Sequence, residues 1–142
     1  MGNKFLGNIR ETDAIIHVLR CFDDDNVTHV DGSVDPVRDK EIIDIELQLK
    51  DLETVQKRAE ALNRAAKAGD KTAQKQLTLL EEYSAALESG KSARTVEVDD
   101  NDLPFAKELQ LLTNKSILYV CNVDEGSVAD GNAYVEQVRE AV

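Results

Sequence analysis

The ten residues "SILYVCNVDE" (Ser116–Glu125) carry the side chains best suited to reading a ligand. An apolar run ends in Asn122, and Asp124 and Glu125 follow within three residues. An Asn side chain offers a donor and an acceptor, matching the N7/N6 edge of adenine or the N7/O6 edge of guanine. A carboxylate takes the paired N1–H and N2–H donors of guanine, whereas adenine presents an acceptor at N1. These residue types suit a purine. They equally suit a plain turn after a strand, where Asn and Asp bond their own backbone.

Residues for the phosphate half of such a site are lacking. "GSVADGNA" (126–133) has the glycine spacing of a P-loop, but Asn132 stands where Lys is required and Ala133 where Ser or Thr must hold Mg²⁺. The stretch also follows the base-reading position instead of opening the sheet. No Ser/His/Asp or Cys/His arrangement supports nucleophilic catalysis. His29 sits in an acidic loop with no second ligand at metal spacing, so no metal site is expected, and His17 reads as a core or interface histidine in mid-strand. Cys21 and Cys121 are too few and too far apart for a disulfide framework. They close two segments expected to be sheet neighbours, and are expected to be buried free thiols in a reducing compartment.

The elements that position Asn122 follow from periodicity. "DAIIHVLRCF" (13–22) and "KSILYVCN" (115–122) read as strands buried on both faces. Asp35-Pro36 starts a helix, with Asp accepting from orphan N–H groups and Pro at the first helical position. From Val37 to about Lys67 no Gly or Pro intervenes, and Ile45, Leu49, Leu52, Val55, Ala59, Leu62 and Ala66 form one narrow seam. Gly69 caps that helix and Asp70 starts the next, which presents Ala73, Leu77, Leu80, Ser84 and Leu87 and closes at Gly90. So short a break predicts an antiparallel hairpin whose narrow seam one partner helix can cover, hence a hairpin that projects. "RTVEV" (94–98) reads as a short edge strand. "NDLPFAKELQLLTN" reads as a helix with Phe105, Leu109 and Leu112 inward, and "NAYVEQVREAV" as a last helix with Tyr134, Val135 and Val138 on one face. Strand, long excursion, helix, strand and helix fit an open α/β sheet with an inserted helical hairpin, and ligands in such sheets bind beyond the strands' carboxyl ends.

Bulk properties exclude several classes. At 142 residues with 42% hydrophobic and 32% charged side chains, the chain is one ordinary folded domain in size. No apolar run approaches the ~18 residues of a membrane span, and no secretion signal opens the chain. A cytoplasmic protein is expected. The net charge of −11 argues against binding nucleic acid over the whole surface. Within 57–75, however, Lys57, Arg58, Arg64, Lys67, Lys71 and Lys75 outnumber Glu60 and Asp70, giving +4 around the hairpin turn. Such a stretch is either a solvated helix surface or a polyanion-binding tip.

Three segments carry a resemblance. "GNKFLGNIRETDAIIHVLRCFDDDNVTHVDGSVDPVRD" resembles the stretch after the switch II motif in the Obg-like ATPases, the YchF/EngD family of P-loop NTPases. "VDPVRDKEIIDIELQLKDLETVQKR" resembles the start of their inserted hairpin, and "LTNKSILYVCNVDE" their strand leading into the fourth guanine-nucleotide motif. The match runs in order along nearly the whole chain. The resemblance implies part of a Ras-like, parallel-sheet P-loop NTPase domain, α/β in class, with an inserted antiparallel α-helical hairpin or coiled coil. Residues 1–35 would be partial G domain, with Gly2 and Asn3 as the tail of switch II and one core strand. Residues 36–90 would be the hairpin, and 91–142 partial G domain with a strand, the fourth motif and a helix.

In G proteins the fourth motif reads Asn-Lys-x-Asp; here it is Asn122-Val123-Asp124-Glu125. In the family that departure goes with preference for ATP over GTP. Asn122 therefore carries over as the adenine contact, with Val123, Asp124 and Glu125 around the base. The resemblance further implies a translation-associated, ribosome-linked NTPase that hydrolyses ATP, or also GTP, with Mg²⁺ in its full-length form. The P-loop, switch I and DxxG motif have no counterpart in the chain, so a fragment is expected, inactive and without bound nucleotide on its own. The alternative is a helical-hairpin module that docks on RNA or protein without nucleotide chemistry.

Overall fold

The computed structural model describes residues 3–23 and 33–142. Gly2, His29 and most of the acidic loop after Phe22 lie outside them. In chain order the elements are α1 (Asn3–Arg10), β1 (Ala14–Arg20), α2 (Pro36–Lys67), α3 (Lys71–Glu88), α4 (Leu103–Leu109), β2 (Ser116–Asn122) and α5 (Ala133–Ala141). Short 3-10 turns occupy Ala93–Thr95, Leu112–Asn114 and Glu125–Ser127. The chain forms two compact units, one of Met1–Asp13 with Asp44–Ser116, the other of Ala14–Ile43 with Ile117–Val142.

The first unit is built on α2 and α3. They run antiparallel: Gln74 Nε2 donates to the Ala66 carbonyl at 2.9 Å near the turn, and Gln48 Nε2 to Ser92 Oγ at 3.4 Å at the other end. The break has the chemistry expected of it. Gly69, at φ 97°, occupies the left-handed position. Its N–H bonds the Ala66 carbonyl, and Asp70 N–H bonds that of Ala65, so the last carbonyls of α2 are satisfied. Asp70 Oδ1 then accepts from Ala73 N at 3.1 Å and starts α3. In the second unit, Asp35 Oδ1 likewise accepts from Arg38 N at 3.0 Å where α2 begins.

The seam differs from expectation at its N-terminal end. Ile45 and Leu49 are 55% and 61% exposed, while Leu47 and Asp51 are buried instead. The reason is that α3 does not cover this part of α2; the segment 91–113 does, against another face. Leu112 N and Thr113 N each donate to the Asp51 carboxylate at 2.7 Å, and Thr113 Oγ1 at 2.6 Å. Thr113 Oγ1 also accepts from Ala93 N at 2.8 Å. A second difference is width. α3 buries Leu79 and Tyr83 as well as Ala73, Leu80 and Leu87, because α4 adds Phe105, Ala106 and Leu109 to the same core. The hairpin is thus covered by α4 along its middle, not by one partner helix alone.

The segment 94–98 is not a strand. Ala93–Thr95 forms a 3-10 turn, and Val96 and Val98 pack on the helical core from an extended backbone. Helices offer no free backbone edge, so the alternating pattern of this stretch finds packing but no ladder. α1 is tied in by Arg10, whose Nη2 donates to Thr54 Oγ1 at 3.1 Å, and by Lys115, whose Nζ donates to the carbonyls of Arg10 and Thr12.

The second unit holds the sheet, in which β1 and β2 are neighbours. Cys21 N–H, at the carboxyl end of β1, bonds the Asn122 carbonyl at the carboxyl end of β2 at 2.8 Å, so the strands run parallel as expected. α5 covers one face, with Val138 against Leu19 and Cys21 and with Tyr119, Cys121, Val123, Tyr134 and Val135 around them. The strands are not buried on both faces: Ile16, Val18, Leu118 and Val120 are 65%, 59%, 62% and 40% exposed. Among the described residues nothing covers that side.

Asp51 generates two expectations. Asp51→Ala orphans two buried N–H donors at about 1–3 kcal/mol each, so urea unfolding should show a loss of roughly 3 kcal/mol; a loss under ~1 kcal/mol would mean water replaces the carboxylate. Burial also pushes the Asp51 carboxyl above its usual range, outweighing the bonds from Thr113 and Leu112 and the Arg10 charge. The native state then holds this proton more tightly than the unfolded chain does. That stability is full below the unfolded value of about 4 and is lost as pH rises through the folded value. Unfolding midpoints of wild type relative to Asp51→Asn should therefore fall over that window. A flat or rising difference would overturn the sign.

Candidate functional site

The candidate site is the carboxyl end of the sheet. In a parallel ladder, an N–H bonded to one residue's carbonyl lies opposite the residue after it. The Cys21–Asn122 bond therefore places Cys21 opposite Val123 and His17 opposite Tyr119, whose ring centroids are 5.8 Å apart. Successive side chains alternate between faces. Val123 joins the core under α5, so Asn122 projects from the opposite, uncovered face. The Asn122 side chain is exposed and makes no hydrogen bond among the described residues, while its carbonyl is held by the ladder.

Asp124 and Glu125 are exposed just beyond, where Glu125–Ser127 turns as a 3-10 helix closed by Ser127 N onto the Asp124 carbonyl at 3.0 Å. The structure thus brings Asn122, Asp124 and Glu125 to one exposed strand end and turns Val123 away into the core. Asn132 is the N-cap of α5: its Oδ1 accepts from Val135 N at 3.1 Å and its Nδ2 donates to the Cys21 carbonyl at 2.8 Å. Tyr134 Oη donates to Asp23 Oδ2 at 2.8 Å, and this bond holds the phenol above its ordinary range. Sequence reasoning missed these two side chains as parts of the strand end, although Asn directly before a helical pattern is a cap signal.

The two thiols lie behind the site. Cys21 is buried, Cys121 is half-buried, and both are free. Burial first, and the adjoining Cys121 thiol second, push the Cys21 thiol up to about 12, so it is no nucleophile at neutral pH. Among the described residues no group of three or more His, Cys, Asp or Glu side chains could hold a metal ion, and no helix is long and apolar enough to cross a membrane.

The basic stretch separates into two sets. Lys57 pairs with Glu53 at 3.2 Å, Lys75 with Asp102 at 3.6 Å, and Arg58 with Glu108 at 2.7 Å while lying over the Phe105 ring. These three have acidic partners, although Glu53 is shared with Lys50. Arg64, Lys67 and Lys71 are exposed around Gly69 and have no ion pair among the described residues. Asn3 is the first residue of α1.

No protein-family model matches the chain. It is 50% identical over 142 residues to the ribosome-binding ATPase YchF of Bacillus subtilis, covering 99% of this chain and 39% of the relative. It is 42% identical to the protein of the same name from Haemophilus influenzae, with 99% and 38% covered. The Obg-like ATPase 1 of Oryza sativa subsp. indica is 44% identical over 126 residues, 88% of this chain and 32% of that protein. Among solved structures, the YchF GTPase of Schizosaccharomyces pombe superposes with a TM-score of 0.85 at 33% identity, over 99% of this chain and 39% of that one. The chain thus spans about two fifths of the length of these relatives. By sequence along nearly all of its length, and by fold, the chain belongs with the YchF/Obg-like ATPases.

Proposed function

We propose that this chain is the base-reading segment of a longer, ribosome-associated, cytoplasmic NTP hydrolase, and that Asn122 contacts the adenine of ATP. The observation that carries the reading is the orientation of Asn122. Its side chain is exposed and makes no hydrogen bond among the described residues, at a strand end whose carbonyl is bonded by the Cys21 N–H, the place where open parallel sheets bind ligands. The relatives' names, ribosome-binding ATPase and Obg-like ATPase, agree with it. GTP is the second candidate, since the solved relative is titled a GTPase. Adenine is favoured because Val123 is packed in the core and supplies no side chain over a ring, and because the acid at the guanine-reading position is Glu125 in a turn.

In this reading residues 1–35 and 91–142 are parts of the G domain and 36–90 its inserted hairpin. Gly2 and Asn3 close switch II. The nucleotide enters with Mg²⁺ in the full-length protein, but the described residues offer no carboxylate cluster for the ion. This segment's work is therefore recognition: Asn122 binds the base edge, with Asp124 and Glu125 beside it. In the full-length protein Asn122→Ala should weaken ATP binding by ~1–3 kcal/mol from the lost hydrogen-bonding partner and narrow the gap between ATP and GTP. Its free energy of unfolding should stay within about 0.5 kcal/mol of wild type, as for an exposed, unbonded side chain. Equal affinities for both nucleotides in variant and wild type would reduce Asn122 to a turn residue.

The second reading, a hairpin that docks on RNA, is favoured by one observation: Arg64, Lys67 and Lys71 have no ion pair among the described residues of a strongly acidic chain. From Arg58, which pairs with Glu108 of α4, to Lys67 the helix rises about 14 Å, more than the ~8 Å screening distance at physiological salt, whereas Lys71 lies one helical turn from Lys75 and its partner Asp102. Arg64 and Lys67 can therefore present cations to phosphates with little opposition from Glu108. Reversing Arg64, Lys67 and Lys71 to Glu in the full-length protein should lower ribosome co-sedimentation and flatten its salt dependence. The paired Lys57, Arg58 and Lys75 should matter less. Unchanged binding at both low and high salt would leave these cations as solubilising groups.

A further inference from the structure

The stretch that mimics a P-loop has another use in this fold. Asn132 Oδ1 is fixed by the Val135 N–H at 3.1 Å, which leaves Nδ2 as the donor toward the β1 end, where it meets the Cys21 carbonyl at 2.8 Å. Cys21 is wholly buried, and its own N–H bonds the Asn122 carbonyl at 2.8 Å. Two hydrogen bonds in series therefore run from the N-terminus of α5 through the Cys21 peptide to the main chain of Asn122. We propose that Asn132 is a positioning residue for the base reader, holding the end of β1 so that β2 presents Asn122 at a fixed height and angle.

The proposal rests on the reading of Asn122 as the base contact. Its physical basis is that Cys21 lies past the last residue of β1, at the frayed end of a two-stranded ladder. There a single ladder bond is weak support, since the end of a ladder opens more easily than its middle. The Asn132 amide supplies a partner for the carbonyl that the ladder leaves unused, and α5 anchors that amide through Val138 against Leu19 and Cys21. A displacement of well under a hydrogen-bond length at Cys21 is passed directly to Asn122. Base discrimination depends on such placement more than overall affinity does, because the base contact is directional whereas phosphate attraction is not.

The cap and the positioning bond can be separated by substitution. Asn132→Asp keeps an N-cap acceptor for Val135 N but sets a carboxylate oxygen against the Cys21 carbonyl. Asn132→Ser also caps, without repulsion and without the reach to Cys21. In the full-length protein both should lower the preference for ATP over ITP, whose base edge differs, by about three- to tenfold, the worth of one hydrogen bond. Affinity for tripolyphosphate, which has no base, should not change. In both variants amide exchange should rise at Cys21 and stay as in wild type at Val135. Faster Cys21 exchange with unchanged ATP/ITP preference would overturn the positioning role, and so would unchanged Cys21 exchange. Asn122→Ala measured alongside separates the failures. If that variant keeps wild-type preference, the base reading falls and this proposal with it; if it loses preference while the Asn132 variants keep theirs, this proposal alone falls.

Discussion

A buried carboxylate organises the first unit. Segment 110–113 leaves α4 through Gln110 in the left-handed conformation, and Leu111, Leu112 and Thr113 are then buried. Buried peptides with no ladder must find acceptors, and α2 supplies one at Asp51, which takes both N–H groups and the Thr113 hydroxyl. Thr113 in turn receives Ala93 N–H, Arg94 bonds the Lys115 carbonyl, and Lys115 closes on the end of α1. Removing the apolar contacts at this node would cost packing; removing the carboxylate would leave the Leu112 and Thr113 N–H groups without an acceptor.

That node also shows where the sequence was legible. The caps could be read because Asp35-Pro36, Gly69-Asp70 and Gly90 act through their own backbone geometry, which needs no tertiary partner. The faces of α5 were legible from periodicity, and the parallel pairing from the order of the elements and the family resemblance. The lower seam of α2 was not. Ile45 and Leu49 continue a regular apolar spacing, and only the position of Leu112 and Thr113, more than sixty residues on, decides that Leu47 and Asp51 turn inward instead. A lone Asp four residues before Val55 and four after Leu47 was the available sign. The short segment 94–98 misled for the same reason: alternation reports which side chains are buried, and the neighbours decide whether a ladder forms.

At the strand end the sequence named the right type of residue without its setting. Asn122 could be singled out from its donor and acceptor, but its freedom depends on Val123 taking the core position, which follows from the register with β1. Among the six cations of 57–75, charge alone could not tell members from bystanders. The partners of Lys57, Arg58 and Lys75 include Glu108 and Asp102, brought near by the fold of α4 and absent from any local window.

The length of the excursion between the strands has a kinetic meaning. Pairing Cys21 with Asn122 joins positions separated by about a hundred residues, a closure that a flexible chain makes slowly and at an entropic cost that grows with loop length. Once α2 and α3 have met, Gln48 and Ser92 already lie side by side, and most of that distance is spanned by a rigid body. Helical hairpins depend on near neighbours in sequence and form early. The insert thereby shortens the search for β2, so substitutions at Gly69 or Asp70 bear on how fast the sheet is assembled.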